Sequence, residues 1–294
     1  MVKELLKHKI FEIISETAQE LNVRAFVIGG FVRDLHLERI SKDIDIVVEG
    51  KGIELALAVS KKIGNPKVSV FKSFGTAAFN FKGLEIEFVG ARKESYDRNS
   101  RKPTVEDGTL QEDQDRRDFT INALALSLQK DSYGELIDPF GGLKHIDNKR
   151  LITPLNPDIT YSDDPLRMMR AIRFATQLGF KIETESFEAI KRNAERLQIV
   201  SIERTMVEFN KIMLAHMPSV GLKLLFDSNL LHQFFPEMIK LHGVKERNGQ
   251  RHKDNFYHTL QVVDNISKNT DNLWLRFAAL LHDIAKPATQ RFER

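Results

Sequence analysis

Between residues 25 and 49 the chain writes a strand, a glycine turn, a helix start and a second strand in quick succession, an order that few folds accommodate. AFVIGG is an apolar run closed by Gly29 and Gly30, FVRDLHLE resumes with helical spacing, and DIDIVVEG alternates before running apolar. Glycines at a helix N-terminus expose backbone N–H groups suited to phosphate. The plainer alternative is a tight connection whose glycines permit close packing. Arg33, one turn in, is placed for a charge-assisted contact to a triphosphate. Asp43 and Asp45 stand at i and i+2 on the second strand, so both carboxylates leave one face. Such a pair can share hard divalent cations with substrate phosphates, the ligand set magnesium favours. Exposed strand faces also carry such pairs without any ligand. A third acid from a neighbouring strand completes a site of this kind. Glu87 in LEIEFVGAR is the candidate, with Glu85 on the same face as second choice.

Around this segment the pattern predicts an α+β fold. Leu6, Ile10, Ile13, Ile14 and Leu21 predict a helix over 3–21, and GIELALAVSKKI a helix over 52–63. KVSVFKSF, TAAFNFKG and LEIEFVGAR predict three successive strands, giving a small sheet flanked by helices. Residues 92–115 are polar and highly charged and carry Pro103 and Gly108, which predicts a mobile loop. Helical periodicity resumes at Arg116, apart from the YGELIDPFGG turn region, and dominates after Thr160. The chain of 294 residues thus divides into a catalytic unit over 1–155, helices over 156–235 and a helical body over 236–294. KPATQRFER follows a strongly apolar helix, which predicts a natural protein extending beyond residue 294. The absence of cysteine excludes disulfides and thiolate metal sites and points to the cytoplasm. Neither a signal-peptide core nor an apolar run of about 18 residues is present, so no membrane span is expected. The net charge of +3 permits a polyanionic partner without demanding one.

VIGGFVRDLHLERISKDIDIVV closely resembles motif A of the class II tRNA nucleotidyltransferases and bacterial poly(A) polymerases, which share the DNA polymerase beta nucleotidyltransferase fold. RRDFTINALA (116–125) resembles motif B, DDPLRMMRAIRF (163–174) motif D and SIERTMVEFNKIM (201–213) motif E, and DPFGG followed by KRLI also fits. The likeness covers roughly residues 20–235, in the family's order. It implies a polymerase-beta-like head followed by an all-helical neck and body. It implies template-independent addition of C and A from CTP and ATP to tRNA 3′ ends. Two magnesium ions at Asp43 and Asp45, with Glu87 as third acid, would supply the chemistry. The tRNA acceptor stem would be held through phosphates. Terminal-A addition or poly(A) synthesis is the alternative within the family, and an HD-type phosphohydrolase the alternative outside it.

In motif B, Arg117 suits a triphosphate, while Asp118 and Asn122, four apart on one expected helical face, suit a ribose 2′-hydroxyl. The plain alternative makes Asp118 a helix cap and leaves Arg117 solvated. In motif D, Arg167, Arg170 and Arg173 recur every third residue. With Met168, Met169, Ile172 and Phe174 packing, the arginines are expected to face a cleft or solvent. Asp164 precedes Pro165 and is a natural helix cap. The resemblance instead implies that Asp164 and Arg167 pair with the Watson–Crick edges of C or A. Asp163 stands where the family has Glu, outside the two template positions. Residues 92–115 resemble the flexible loop that helps these enzymes switch from C to A. Finally, His258 and the His282-Asp283 pair match the spacing of an HD-domain metal site whose fourth ligand would be a downstream Asp. Packing inside a helical bundle is the alternative.

Overall fold

The computed structural model describes Leu6 and residues 8–95, 104–243, 246–247, 250–251 and 254–289; the expected switch-loop tip at 96–103 lies outside them. The chain forms two compact units, Met1–Leu155 and Asn156–Arg294.

The first unit is built on a seven-stranded sheet of order β3-β4-β5-β2-β1-β8-β9. Its strands are β1 (Arg24–Ile28), β2 (Asp43–Glu49), β3 (Ser69–Phe71), β4 (Thr76–Phe81), β5 (Leu84–Gly90), β8 (Ala125–Ser127) and β9 (Leu136–Ile137); β6 (Arg92–Ser95) and β7 (Thr104–Asp107) form a separate hairpin. β1 is apolar after Arg24 and fully buried there, as a strand covered on both faces must be. β2 alternates: Ile44, Ile46 and Val48 are buried while Asp43 and Asp45 share the opposite face. Three helices belong to the face of Ile44 and the motif A turn: α1 (Lys9–Glu20), α2 (Gly30–His36) and α3 (Gly52–Lys62). α1 presents Ile10, Phe11, Ile14 and Ala18 as its buried stripe and packs on α3, which covers β4 and β5. The acidic face of β2 stays open near Asp43. Toward the other end of the strand, Val47 is closed over in a cluster with Phe26, Ile28, Ala91 and Leu110.

Three expectations are corrected. Residues 92–115 are not one loop: within them lie β6, β7 and the helix α4 (Leu110–Asp115), whose Thr109–Glu112 capping box fixes its start. Their charges had masked the short apolar anchor Leu110, which packs into the cluster of Phe26, Ile28 and Val47. No α-helix resumes at Arg116. A 3-10 turn at Thr120–Asn122 leads into β8, which pairs with β1. The apolar run INALALSL fits either state by period, and tertiary pairing decides. KVSVFKSF is a strand only to Phe71, and Lys72–Phe74 turn as a 3-10 helix. The short helix α5 (Gly142–Asp147) then packs on the turn at Thr120–Asn122, started by the Asp138 carboxylate, which accepts from the N–H of Gly142 (2.6 Å) and Leu143 (3.0 Å). A Cβ at Gly142 would lie 2.5 Å from the Thr120 carbonyl oxygen, so glycine is what lets these segments touch.

The second unit is dominated by helices: α6 (Pro157–Asp163), α7 (Leu166–Leu178), α8 (Thr184–Asn193), α9 (Ile202–Met213), α10 (Pro218–Asp227), α11 (Leu230–Phe234), α12 (Pro236–Ile239), α13 (Asn255–Ser267), α14 (Leu273–Leu281) and α15 (Lys286–Thr289). α7 packs between α9 and α10, and α13 packs on α10 and α14. Arg276 on α14, 1% exposed, pins these together. It donates to the carbonyls of Met213 (2.7 Å), Ala215 (2.8 Å), Ser267 (3.2 Å) and Thr270 (2.9 Å), which end α9 and α13. A guanidinium is the one side chain with enough donors to satisfy that many helix-end carbonyls. Among the described residues no helix is long and apolar enough to cross a membrane.

Candidate active site

The parallel pairing of β2 and β5 decides where the acids stand. Asp43 is in register with Glu85 and Asp45 with Glu87, so all four side chains leave the same face. Asp45 also pairs with Ile28, the last residue of β1, which brings the glycine turn alongside. Gly29 has φ +82°, and a Cβ there would lie 2.9 Å from Arg117 Nη1 and 3.4 Å from Asp45 Oδ2. Any side chain would therefore both strain the backbone and fill the gap between carboxylate and guanidinium. Asp45, Glu87 and Arg117 line a cavity of about 440 Å³ together with Phe71, Phe74 and Arg92.

Burial raises the Asp45 carboxyl above its ordinary value. Arg117 opposes this, while Asp43 and Asp113 add to it. Glu87 is raised too, first by burial and then by Asp45, against the pull of Arg92 and a hydrogen bond from Thr76. Desolvated acids repelling one another at one spot match the chemistry of a hard divalent cation, which brings the opposite charge and takes oxygen ligands. Asp45 and Glu87 therefore suit magnesium, with Asp43 exposed on the same face of the sheet; among the described residues the three acids do not converge as tightly as His258, His282 and Asp283 do.

Arg117 is held by a residue the sequence reading passed over. Asp113, fully buried on α4, accepts from Arg116 Nε and Nη2 on one oxygen (3.1 and 2.5 Å) and from Arg117 Nε and Nη2 on the other (3.1 and 3.0 Å). Burial alone would raise its carboxyl, but Arg117 and Arg116 outweigh it and hold the group below its ordinary range. The remaining Arg117 nitrogen, Nη1, donates to the Asn122 carbonyl at 3.3 Å. The signal was the i, i+4 spacing of Asp113 and Arg117, hidden by reading the segment as loop.

Asp118 and Asn122 do meet, although on a 3-10 turn rather than an α-helix: Asn122 Nδ2 donates to Asp118 Oδ1 at 3.0 Å, an oxygen that also accepts from Phe119 N–H at 2.8 Å. Asn122 Oδ1 in turn accepts from Arg33 Nη1 at 2.6 Å, and Arg33 pairs with Asp34. Arg33, Asn122 and Asp118 thus form one buried chain beneath the glycine turn, so Arg33 is braced rather than swinging in solvent.

In the helical unit, Arg167 and Arg173 are buried and Arg170 half-buried, so none of the three stands in open solvent. α7 is covered nearly all round. Arg173 spends its charge on Glu208 of α9 (Nε to Oε2, 2.5 Å) and lies over Phe174. Asp164 has extended dihedrals and its Oδ1 accepts from Leu166 N–H at 3.3 Å, a capping contact at the start of α7. At the far end of the unit, His258, His282 and Asp283 bring one ligand atom each within 4.8 Å of one another. Asp283 also pairs with Lys286 at 2.6 Å.

An α+β head with acids in register on a parallel strand pair, beside a glycine turn opening a helix, is a polymerase-beta-type nucleotidyltransferase head. Residues 25–152 match the poly A polymerase head domain, and residues 179–241 match the probable RNA and SrmB-binding site of polymerase A. An A-adding tRNA nucleotidyltransferase of Aquifex aeolicus is 44% identical over 170 residues, 58% of this chain and 20% of that protein. A CCA-adding enzyme of Anoxybacillus flavithermus is 35% identical over 273 residues, 92% of this chain and 63% of that one. The crystal structure of a tRNA nucleotidyltransferase complexed with a primer tRNA and an incoming ATP analogue is 30% identical, with a TM-score of 0.72 over 92% of this chain and 75% of that chain. The chain belongs to the class II tRNA nucleotidyltransferase and bacterial poly(A) polymerase family. It spans less than two thirds of the length of the two curated relatives.

Proposed function

We propose that the protein adds C and A to the 3′ ends of tRNA, using CTP and ATP and releasing pyrophosphate. The observation that carries this is the in-register pair Asp45 and Glu87 beside the Gly29 turn and Arg117. Asp43, Asp45 and Glu87 would hold magnesium, which when bound activates the primer 3′-hydroxyl and neutralises the departing charge. The hydroxyl oxygen forms a bond to the α-phosphorus, the α–β phosphoanhydride bond breaks, and the hydroxyl proton leaves to solvent. The amides at Gly29 and Gly30, with Arg33 and Arg117, grip the triphosphate and keep the leaving group in line. Asp118 and Asn122 select the ribose, and Asp164 and Arg167 of the helical unit, residues 156–235 in this reading, select the base, with Arg170 and Arg173 supporting them. His258, His282 and Asp283 would belong to a separate metal site at the start of an HD-type body.

A second reading, addition of the terminal A alone, is favoured by the identity to the A-adding relative. Primer extension separates the two. With magnesium and tRNA lacking CCA, ordered incorporation of C, C and A from CTP plus ATP supports full addition. Incorporation of A only onto tRNA already ending in CC supports the second reading, and long A tails would make the protein a poly(A) polymerase. No incorporation, with Asp43→Ala indistinguishable from the unaltered protein, refutes the assignment.

A further inference from the structure

Phe71 and Phe74 are 52% and 65% exposed, at the free edge of the sheet and in the turn that follows it. Single exposed apolar residues are ordinary. Here two aromatic rings line the same cavity as Asp45 and Glu87. Phe71 pairs with Thr76, Thr76 with Val89, and Val89 with Val47, so Phe71 stands on the acidic face, two residues along from the row of Asp45 and Glu87. Across the sheet the order is fixed: the glycine turn ends β1, Asp45 is on β2, Glu87 on β5, then come β4 and β3. Phe71 is thus three strand spacings from Asp45, about 14 Å at the usual separation, on the side away from the glycine turn. In-line displacement puts the attacking oxygen and the leaving pyrophosphate on opposite sides of the α-phosphorus. If the glycine turn grips the triphosphate, the primer approaches from the side of β5, β4 and β3.

We propose that Phe71 and Phe74 form a stacking platform for the 3′-terminal base of the RNA primer, with the terminal ribose directed toward Asp45 and Glu87. The proposal rests on reading the site as an RNA nucleotidyltransferase and names how it holds the acceptor. Such an enzyme meets first the discriminator base, which differs among tRNAs, and then C as the terminal base of its primer. A hydrogen-bonding pocket would favour one of them, whereas every base offers a π face, and stacking is tolerant of sequence. The rings do not react; they are positioning residues.

The test uses the full chain and steady-state extension of three tRNA primers, ending at the discriminator base, in C, and in CC. Phe71→Ala with Phe74→Ala is expected to raise the primer KM by roughly 5- to 150-fold, the range set by losing a stacked base. The factor is expected to be similar for all three primers and much larger than any change in the KM for CTP or ATP. Phe74→Trp is expected to keep the low primer KM, and Phe74→Leu, apolar without a π face, to lose it. A primer carrying terminal 2-aminopurine reports stacking directly, through quenching by the unaltered protein that the double variant lacks. Unfolding midpoints check that these exposed sites leave the fold intact. A double variant whose primer KM stays within about twofold of the unaltered protein overturns the proposal. So does an effect confined to one terminal base among several primers that the unaltered protein extends. Failure of the unaltered protein to extend any primer would instead remove the reading underneath.

Discussion

Replacing Asp113 by Asn tests the claim that Arg117 is positioned rather than merely present. Asp113 accepts two hydrogen bonds from each of Arg116 and Arg117, with its own side chain wholly buried. The amide keeps one acceptor oxygen and turns an NH2 group toward the other guanidinium, so two charge-assisted bonds are lost. At about 1.5–3 kcal/mol each, the loss is roughly 3–6 kcal/mol. The arginine side chains are 22% and 18% exposed and can turn toward water, which favours the lower end, about 3 kcal/mol. For a unit of this size that lowers the unfolding midpoint by about 6–12 °C. Arg117, left with its contact to the Asn122 carbonyl, is expected to grip triphosphate less well, raising the KM for ATP about tenfold, or about 1.4 kcal/mol of lost binding. The pH dependence carries a sign. Asp113 is held below its ordinary value in the folded state, so its stabilisation is full above the unfolded value of about 3.9 and fades as pH falls through the folded one. Thermal unfolding of both proteins from pH 7 downward should therefore show their midpoints converging in acid. A gap that stays constant, or a variant as stable as the parent at pH 7, refutes the reasoning.

Asp45→Asn is expected to abolish incorporation yet raise the unfolding midpoint at neutral pH without magnesium. Burial and Asp43 raise the Asp45 carboxyl, so its ionised form costs stability above the unfolded value, a cost relieved as pH falls through the folded one; a lowered midpoint would contradict this. Magnesium should raise the midpoint of the unaltered protein by mass action and leave that of Asp45→Asn in place, as differential scanning calorimetry would show. Asp164→Ala with Arg167→Ala should relax the choice among CTP, ATP, GTP and UTP in single-nucleotide assays; unchanged selectivity would remove the template role. Arg276→Met should destabilise the helical unit by about 3–5 kcal/mol, because several helix-end carbonyls lose their donor in the interior, and urea titration followed by circular dichroism reads this.

The head sheet was legible where period and turn chemistry agreed: AFVIGG, DIDIVV and LEIEFVG are strands because apolar faces and glycine punctuation leave little else. The family motifs singled out the acids and the glycine turn that the fold brings side by side. What the sequence hid was partnership. Nothing in DIDIVV says that it lies parallel to LEIEFVG with Asp45 opposite Glu87, since register comes from the long-range fit of two buried faces. The Asp113 anchor was invisible because EDQDRRD looks solvated until a sheet covers it. The arginines of α7 misled for the converse reason. Spacing suggests an exposed charged stripe, whereas Glu208, on a helix far along the chain, neutralises Arg173 inside the bundle.

Gly29 donates its N–H to the Leu124 carbonyl, and β1 is flanked by β2 on one side and β8 on the other. The loop that would seize phosphate is made early during synthesis, yet its backbone is fastened by residues emerging nearly a hundred positions later. A fragment ending before Leu124 would carry both aspartates and lack the carbonyl that holds the Gly29 amide. Nucleotide capture in this protein should therefore switch on abruptly as the nascent chain lengthens past that point.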